Sequence, residues 1–155
     1  MATPRHRPTQ AELLARLPRA FRPELTPAQQ WNLTMCHHVN LDAVHTGQAE
    51  PGILWDWVGC ALVWWKVAEL LGAGELEMQS QLEMATRMVE RFARTGYVLF
   101  DEHDYQAARI GVQIMDALAS LVDQRTAEIA VGWSEVETNR RAAGVQTAKI
   151  ERAAA

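Results

Sequence analysis

The residue pattern predicts an all-α fold, an antiparallel helical bundle of four main helices with a short N-terminal helix and a long C-terminal helix. Three observations carry this. Apolar residues recur at helical spacing along most of the chain, prolines and glycines fall where helices would start and stop, and no alternating segment has a partner with which to build a sheet. At 155 residues, 48% of them hydrophobic and 22% charged, the chain can bury one sizeable core and is too apolar to stay disordered.

Residues 1–25 read as a basic arm punctuated by Pro4, Pro8, Pro18 and Pro23. Thr9 and Glu12 form a capping-box pattern ahead of a short helix ending at Leu17. Five arginines (Arg5, Arg7, Arg16, Arg19 and Arg22) face a single Glu12 in residues 1–23, a net of +4; the chain as a whole is −4, so the remainder carries −8. The bundle itself, residues 26–143, opens with Thr26 as N-cap and Pro27 at the first helical position, where a missing N–H costs nothing. That helix runs to about Thr46, with Gly47 able to take the left-handed conformation that ends it. Pro51 starts the next, which continues to Leu71 and is closed by Gly72 and Gly74. It carries Trp55, Trp57, Trp64 and Trp65 and is apolar nearly all round, the mark of a central rod. Asp56, Lys66 and Glu69 interrupt it, and its uncharged stretch from Trp57 to Trp65 is far short of the ~20 residues a bilayer needs, so no membrane partner is expected.

From Glu75 to Thr95, the seam Met78, Leu82, Ala85, Val89 and Phe92 repeats at helix-packing intervals, and Gly96 stops it. Residues 97–100, Tyr-Val-Leu-Phe, form a short connector placed to plug one end of the core. The last helix starts at Asp101 or Asp104 and meets no breaker before Ala143. Two seams run along it, one of Ile110, Ile114, Ala117 and Leu121, the other of Ala108, Val112, Met115, Ala119 and Val122. Each is expected to face a neighbour, and a rod of ~60 Å would overhang the bundle. Residues 144–155 are expected to form a flexible tail.

The N-terminus offers prolines and arginines where an export signal needs an apolar stretch, and Cys36 and Cys60 are too few for a disulfide framework. A cytoplasmic protein is the expectation. Phosphate-binding glycine loops, a Gly-x-Ser-x-Gly elbow, His-Glu-x-x-His and the Glu-x-x-His pairs of diiron bundles are all absent from the sequence. The leading reading is therefore a non-enzymatic protein-interaction module with no catalytic residue and no cofactor. Trp55, Trp65 and Trp133, with the acids Glu128, Glu135 and Glu137, would form its partner-binding surface. The wealth of tryptophan and the overhanging helix also suggest a homodimer. The rival reading is a metal-dependent hydrolase. His38, Asp42 and His45, at i, i+4 and i+7, project from one helix face, and two imidazoles with a carboxylate suit a divalent metal. Cys36-His37-His38 is set aside because adjacent helical residues point about 100° apart. A third reading places nucleic acid against Arg5 and Arg7, since an acidic body argues against any broader DNA contact.

The runs HHVNLDAVHTGQAEPGILWDWV and RTGYVLFDEHDYQAARIGVQIMDALASL give the chain a layout that resembles small, uncharacterised all-helical proteins encoded on proteobacterial phages and conjugative elements. In those proteins a His-containing helix ends in a Thr-Gly-Gln turn, a Trp-containing helix follows, and an Arg-Thr-Gly turn precedes a long last helix. The likeness covers about residues 27–140. It transfers no active site. It implies an accessory protein of a mobile genetic element, with inhibitors of host defence, anti-CRISPR-like, among the functions expected of that class.

Overall fold

A computed structural model describes residues 23–154, with side chains through Val145. Among these residues the chain forms five helices: α1 (Pro27–His45), α2 (Pro51–Leu71), α3 (Glu75–Thr95), α4 (Glu102–Ala119) and α5 (Gln124–Ala154). No strand is present among them, only one isolated antiparallel bridge between Glu24 and Asp123. The all-α bundle is the observed architecture.

Local chemistry sets the helix ends. Thr26 and Gln29 complete a capping box, Gln29 N–H donating to Thr26 Oγ1 at 3.2 Å and Thr26 N–H donating to Gln29 Oε1 at 2.9 Å. Gly72 (φ 66°) and Gly96 (φ 76°) close α2 and α3 in the left-handed region, where a side chain would clash with its own backbone. Asp101 is the N-cap of α4, its Oδ1 accepting from Asp104 N–H at 2.7 Å.

α2 is the central rod. It packs against each of the other four helices, most extensively α5 and α3, while α4 bridges α1 and α3 on the side away from α5. Leu54, Trp57, Val58, Ala61, Leu62, Trp64, Val67 and Ala68 of α2 are all buried. Around them close Met78, Met84 and Met88 from α3 and Met115 from α4, unbranched side chains that fill the irregular gaps left by indole rings. The 97–100 connector does plug one end: Val98 is buried, and Phe100 meets Trp57 edge-on at 5.5 Å.

Two expectations are corrected. The unbroken helix from residue 101 to 143 is two helices. The chain turns at residues 120–123, where Asp123 Oδ1 accepts from Thr126 N–H at 2.7 Å and Gln124 N–H donates to the Pro23 carbonyl at 3.0 Å. Asp123 supplies a cap in the absence of any glycine or proline, and α5 then folds back on α2, so the single rod of ~60 Å does not form. The helix also continues through Ala154, past Ala143. Second, only one of the two seams of α4 is buried throughout, and of the other Ile114 alone among its larger residues packs on the core. Ala108, Val112, Met115, Ala119 and Val122 are buried, while Ile110 and Leu121 are 57% and 58% exposed. Gly111 lies between these seams because its missing Cβ would fall 2.1 Å from the Gln81 side chain, whose amide donates to the Ala107 carbonyl at 2.8 Å. The short helix ending at Leu17 and the arginines of the arm lie outside the described residues.

Candidate functional site

The histidine face of α1 is organised differently from its spacing. His38 Nε2 stands 3.0 Å from both carboxylate oxygens of Asp116 on α4, and His37 Nε2 stands 3.1 Å from Oδ1 of the same residue. The two imidazole centroids are 4.8 Å apart. His37 is fully buried, edge-on to Trp64 at 5.7 Å, whereas His38 and Asp116 are each a little under half exposed. Burial pushes His37 below the ordinary imidazole range, against the opposing hydrogen bond from Asp116. Its Nδ1 is buried without a hydrogen-bond partner among the described residues, so the tautomer is set at the Nε2 end.

Adjacent residues do converge here. Their Cα–Cβ bonds diverge, but each imidazole reaches several ångströms from the backbone, and the carboxylate from a second helix lies between them. Of the three residues read as a metal face, only His38 joins this group. His45 stacks flat on Tyr105 at 4.3 Å and 9°, and Asp42 points to solvent from neither cluster of potential ligands among the described residues. The second such cluster, Asp101, His103 and Asp104, already has its charge balanced. Buried Asp104 takes Arg87 and Arg91 at 3.0 and 2.7 Å, Asp101 takes Arg91 at 2.8 Å, and the Asp104 N–H, ahead of Arg91, holds the Asp101 carboxyl below its usual range.

Cys36 and Cys60 hydrogen-bond to each other across α1 and α2. Asn40 donates to both sulfurs, at 3.4 and 3.9 Å. The Cys60 hydrogen bond draws the Cys36 thiol down, and the same bond, with burial, pushes Cys60 up. Asn40 one turn after Cys36 was the only sequence signal for this pair.

The cysteines lie at the bottom of an open groove. Its walls are α1 and α5, which barely touch each other, and its floor is α2. One end, of about 590 Å³, lies between Leu25 and Leu33 on one side and Ala127 and Val131 on the other; a second section of about 380 Å³ continues past Trp55, Gly59 and Cys60. Asn32, Leu33 and Val131 belong to both sections. Glu128, Asp56 and Glu135 line the groove, no lysine or arginine does so among the described residues, and none of the three acids forms an ion pair with a described residue.

The residues expected to bind a partner are therefore split between the flanks of α5. Trp55, Glu128 and Glu135 belong to the groove. Trp65, Trp133 and Glu137 belong to the opposite flank, where the two indoles meet at 5.4 Å, Lys66 lies over Trp133, and Arg140 and Arg141 hold Glu137. All three tryptophans are half-buried against the core, and the most exposed indole is Trp31, at 63%. Arg5 and Arg7 lie outside the described residues. No helix among the described residues is long and apolar enough to cross a membrane. Comparison with protein-family models, with curated proteins and with solved structures finds no match to this chain.

Proposed function

We propose that the protein is a non-enzymatic interaction module whose α1–α5 groove receives a basic, amphipathic helix of a partner protein. The observation that carries this is the groove itself, an apolar trough between two helices over a third, lined by three carboxylates and no cation among the described residues. A helix laid between helices buries its apolar stripe on Leu33, Val63 and Val131 while its lysines and arginines meet Glu128 and Glu135. The charge matters for choice of partner more than for raw affinity, because the acids are solvent-exposed and screened by salt. Such a surface suits an inhibitor that competes for the basic surface of a nucleic-acid-binding host-defence factor in the cytoplasm, the role implied by the likeness to mobile-element accessory proteins.

The test uses a lysine/leucine amphipathic helical peptide as probe, with binding followed by calorimetry. Wild type binds saturably and more weakly as salt rises, and the double variant Glu128→Lys/Glu135→Lys loses at least about tenfold, equivalent to about 1.4 kcal/mol. A control with the same charge change away from the groove, Glu75→Lys/Glu90→Lys, keeps wild-type affinity. Equal losses in both doubles, or none in either, would refute the groove as the docking surface. A homodimer is the second reading, favoured by the exposed Ile110 on α4 and Leu121 just beyond its end. Light scattering decides it: a mass that halves on dilution supports it, and a monomer at every concentration removes it.

A further inference from the structure

We propose that His37, His38 and Asp116 form a binding site for one divalent first-row transition-metal ion, of which Zn²⁺ is the probe of choice. Their potential ligand atoms all lie within 4.8 Å of one another and come from two helices, α1 and α4. Two imidazoles and one carboxylate are the donor set that suits zinc, iron and nickel, whereas magnesium and calcium ask for oxygen alone.

The spacing fits an ion. Donor atoms about 2.1 Å from a metal stand about 3.0 Å apart when their bonds meet at right angles and about 3.4 Å apart at the tetrahedral angle. The Nε2-to-oxygen separations observed are 3.0 and 3.1 Å. Between each imidazole and the carboxylate an ion therefore fits with little displacement, and each neutral ring moves its single proton from Nε2 to Nδ1 by exchange with solvent, so that both Nε2 lone pairs face the ion. His37 has no partner at Nδ1 among the described residues, so its ring proton can sit there and leave the Nε2 lone pair for the metal. Edge-on contact with Trp64 fixes the plane of that ring. His38 and Asp116 are half-exposed, which leaves the remaining coordination positions to water or to a ligand group from outside. The site ties α1 to α4 on the far side of α2 from α5, so it is separate from the groove.

The experiment measures Zn²⁺ affinity of the EDTA-treated full chain by competition with a chromogenic chelator, together with the melting temperature in excess Zn²⁺ and in EDTA. One ion per chain and a higher melting temperature with Zn²⁺ are expected. Asp116→Asn and His38→Ala, both at half-exposed positions that leave the core intact, each weaken binding at least about tenfold and abolish the melting shift. Asp42→Ala and His45→Ala bind as wild type. The proposal is overturned by the absence of a one-to-one event, by an Asp116→Asn variant that binds as tightly as wild type, or by a loss in His45→Ala as large as that in His38→Ala. His37 is left unchanged in these tests because it is fully buried.

Discussion

On one flank of α5, Trp133 rests on Trp65 beneath Lys66, and Glu137 sits between Arg140 and Arg141; on the other, Val131, Glu128 and Glu135 face an open trough. The same helix supplies both surfaces from positions two residues apart, Val131 against Trp133 and Glu135 against Glu137. They differ in what the chain provides opposite them. Toward α3 the Trp65 and Trp133 rings meet and α5 itself supplies the cations that neutralise Glu137, leaving a smaller pocket of about 320 Å³ beside Gln79, Leu82 and Thr86. Toward α1 the chain provides small side chains, with Gly59 and Cys60 in the floor and Gly132 in the wall, and acids without cations among the described residues. A flank that neutralises its own acid has less to gain from a basic partner. A flank with the larger trough and acids unpaired with any described cation has more to gain, and so the interaction reading is assigned to the α1 side.

The contrast can be broken most directly by shortening one apolar side chain on each flank. Trp133→Ala is expected to cost about 2–3 kcal/mol, below the range for a fully buried tryptophan because the ring is half-buried. Val131→Ala, at a position 38% exposed, is expected to cost under about 1 kcal/mol. Urea unfolding measures both, and equal costs would mean that the flanks are packed alike. Smaller still is the effect of Glu128→Lys/Glu135→Lys on stability, expected within about 0.5 kcal/mol because neither acid has an ionic partner among the described residues to lose. A larger loss would show that these acids support the fold and are not reserved for a ligand.

The finest test concerns Glu137. Hydrogen bonds from Arg140, and then Arg141, hold its carboxyl down at about 2, against the usual 4.5. A depressed carboxyl favours the folded state above its unfolded value, and that contribution fades as pH falls from 4.5 toward 2. Carbon-detected NMR titration should place its midpoint near the lower value in wild type and raise it in Arg140→Ala. An unchanged midpoint in the variant would mean that Arg140 does not hold this acid.

Much of this architecture was written in short-range chemistry. Thr26-Pro27, Pro51 and the glycines at 47, 72 and 96 mark helix ends because capping and left-handed backbone are decided within a few residues. The tryptophan-rich segment announced itself as the central rod because no other position hides so much apolar surface. The turn at 120–123 was harder to see, since its only local signal was the aspartate cap at Asp123, with no glycine or proline beside it.

The sites belong to the other category. Periodicity on α1 grouped His38 with Asp42 and His45, as a single helix seen alone must. The carboxylate that gathers His37 and His38 lies 78 positions beyond His38, on a helix whose place was set by the packing of α4 against α1. Likewise nothing in the spacing of Trp55 and Trp65, or of Glu135 and Glu137, told which side of α5 each would face. Helix ends are fixed by neighbours in the chain, and local residues are enough to read them. Metal ligands and grooves are made by residues that meet only after burial of the indole-rich rod has chosen where every other helix must lie.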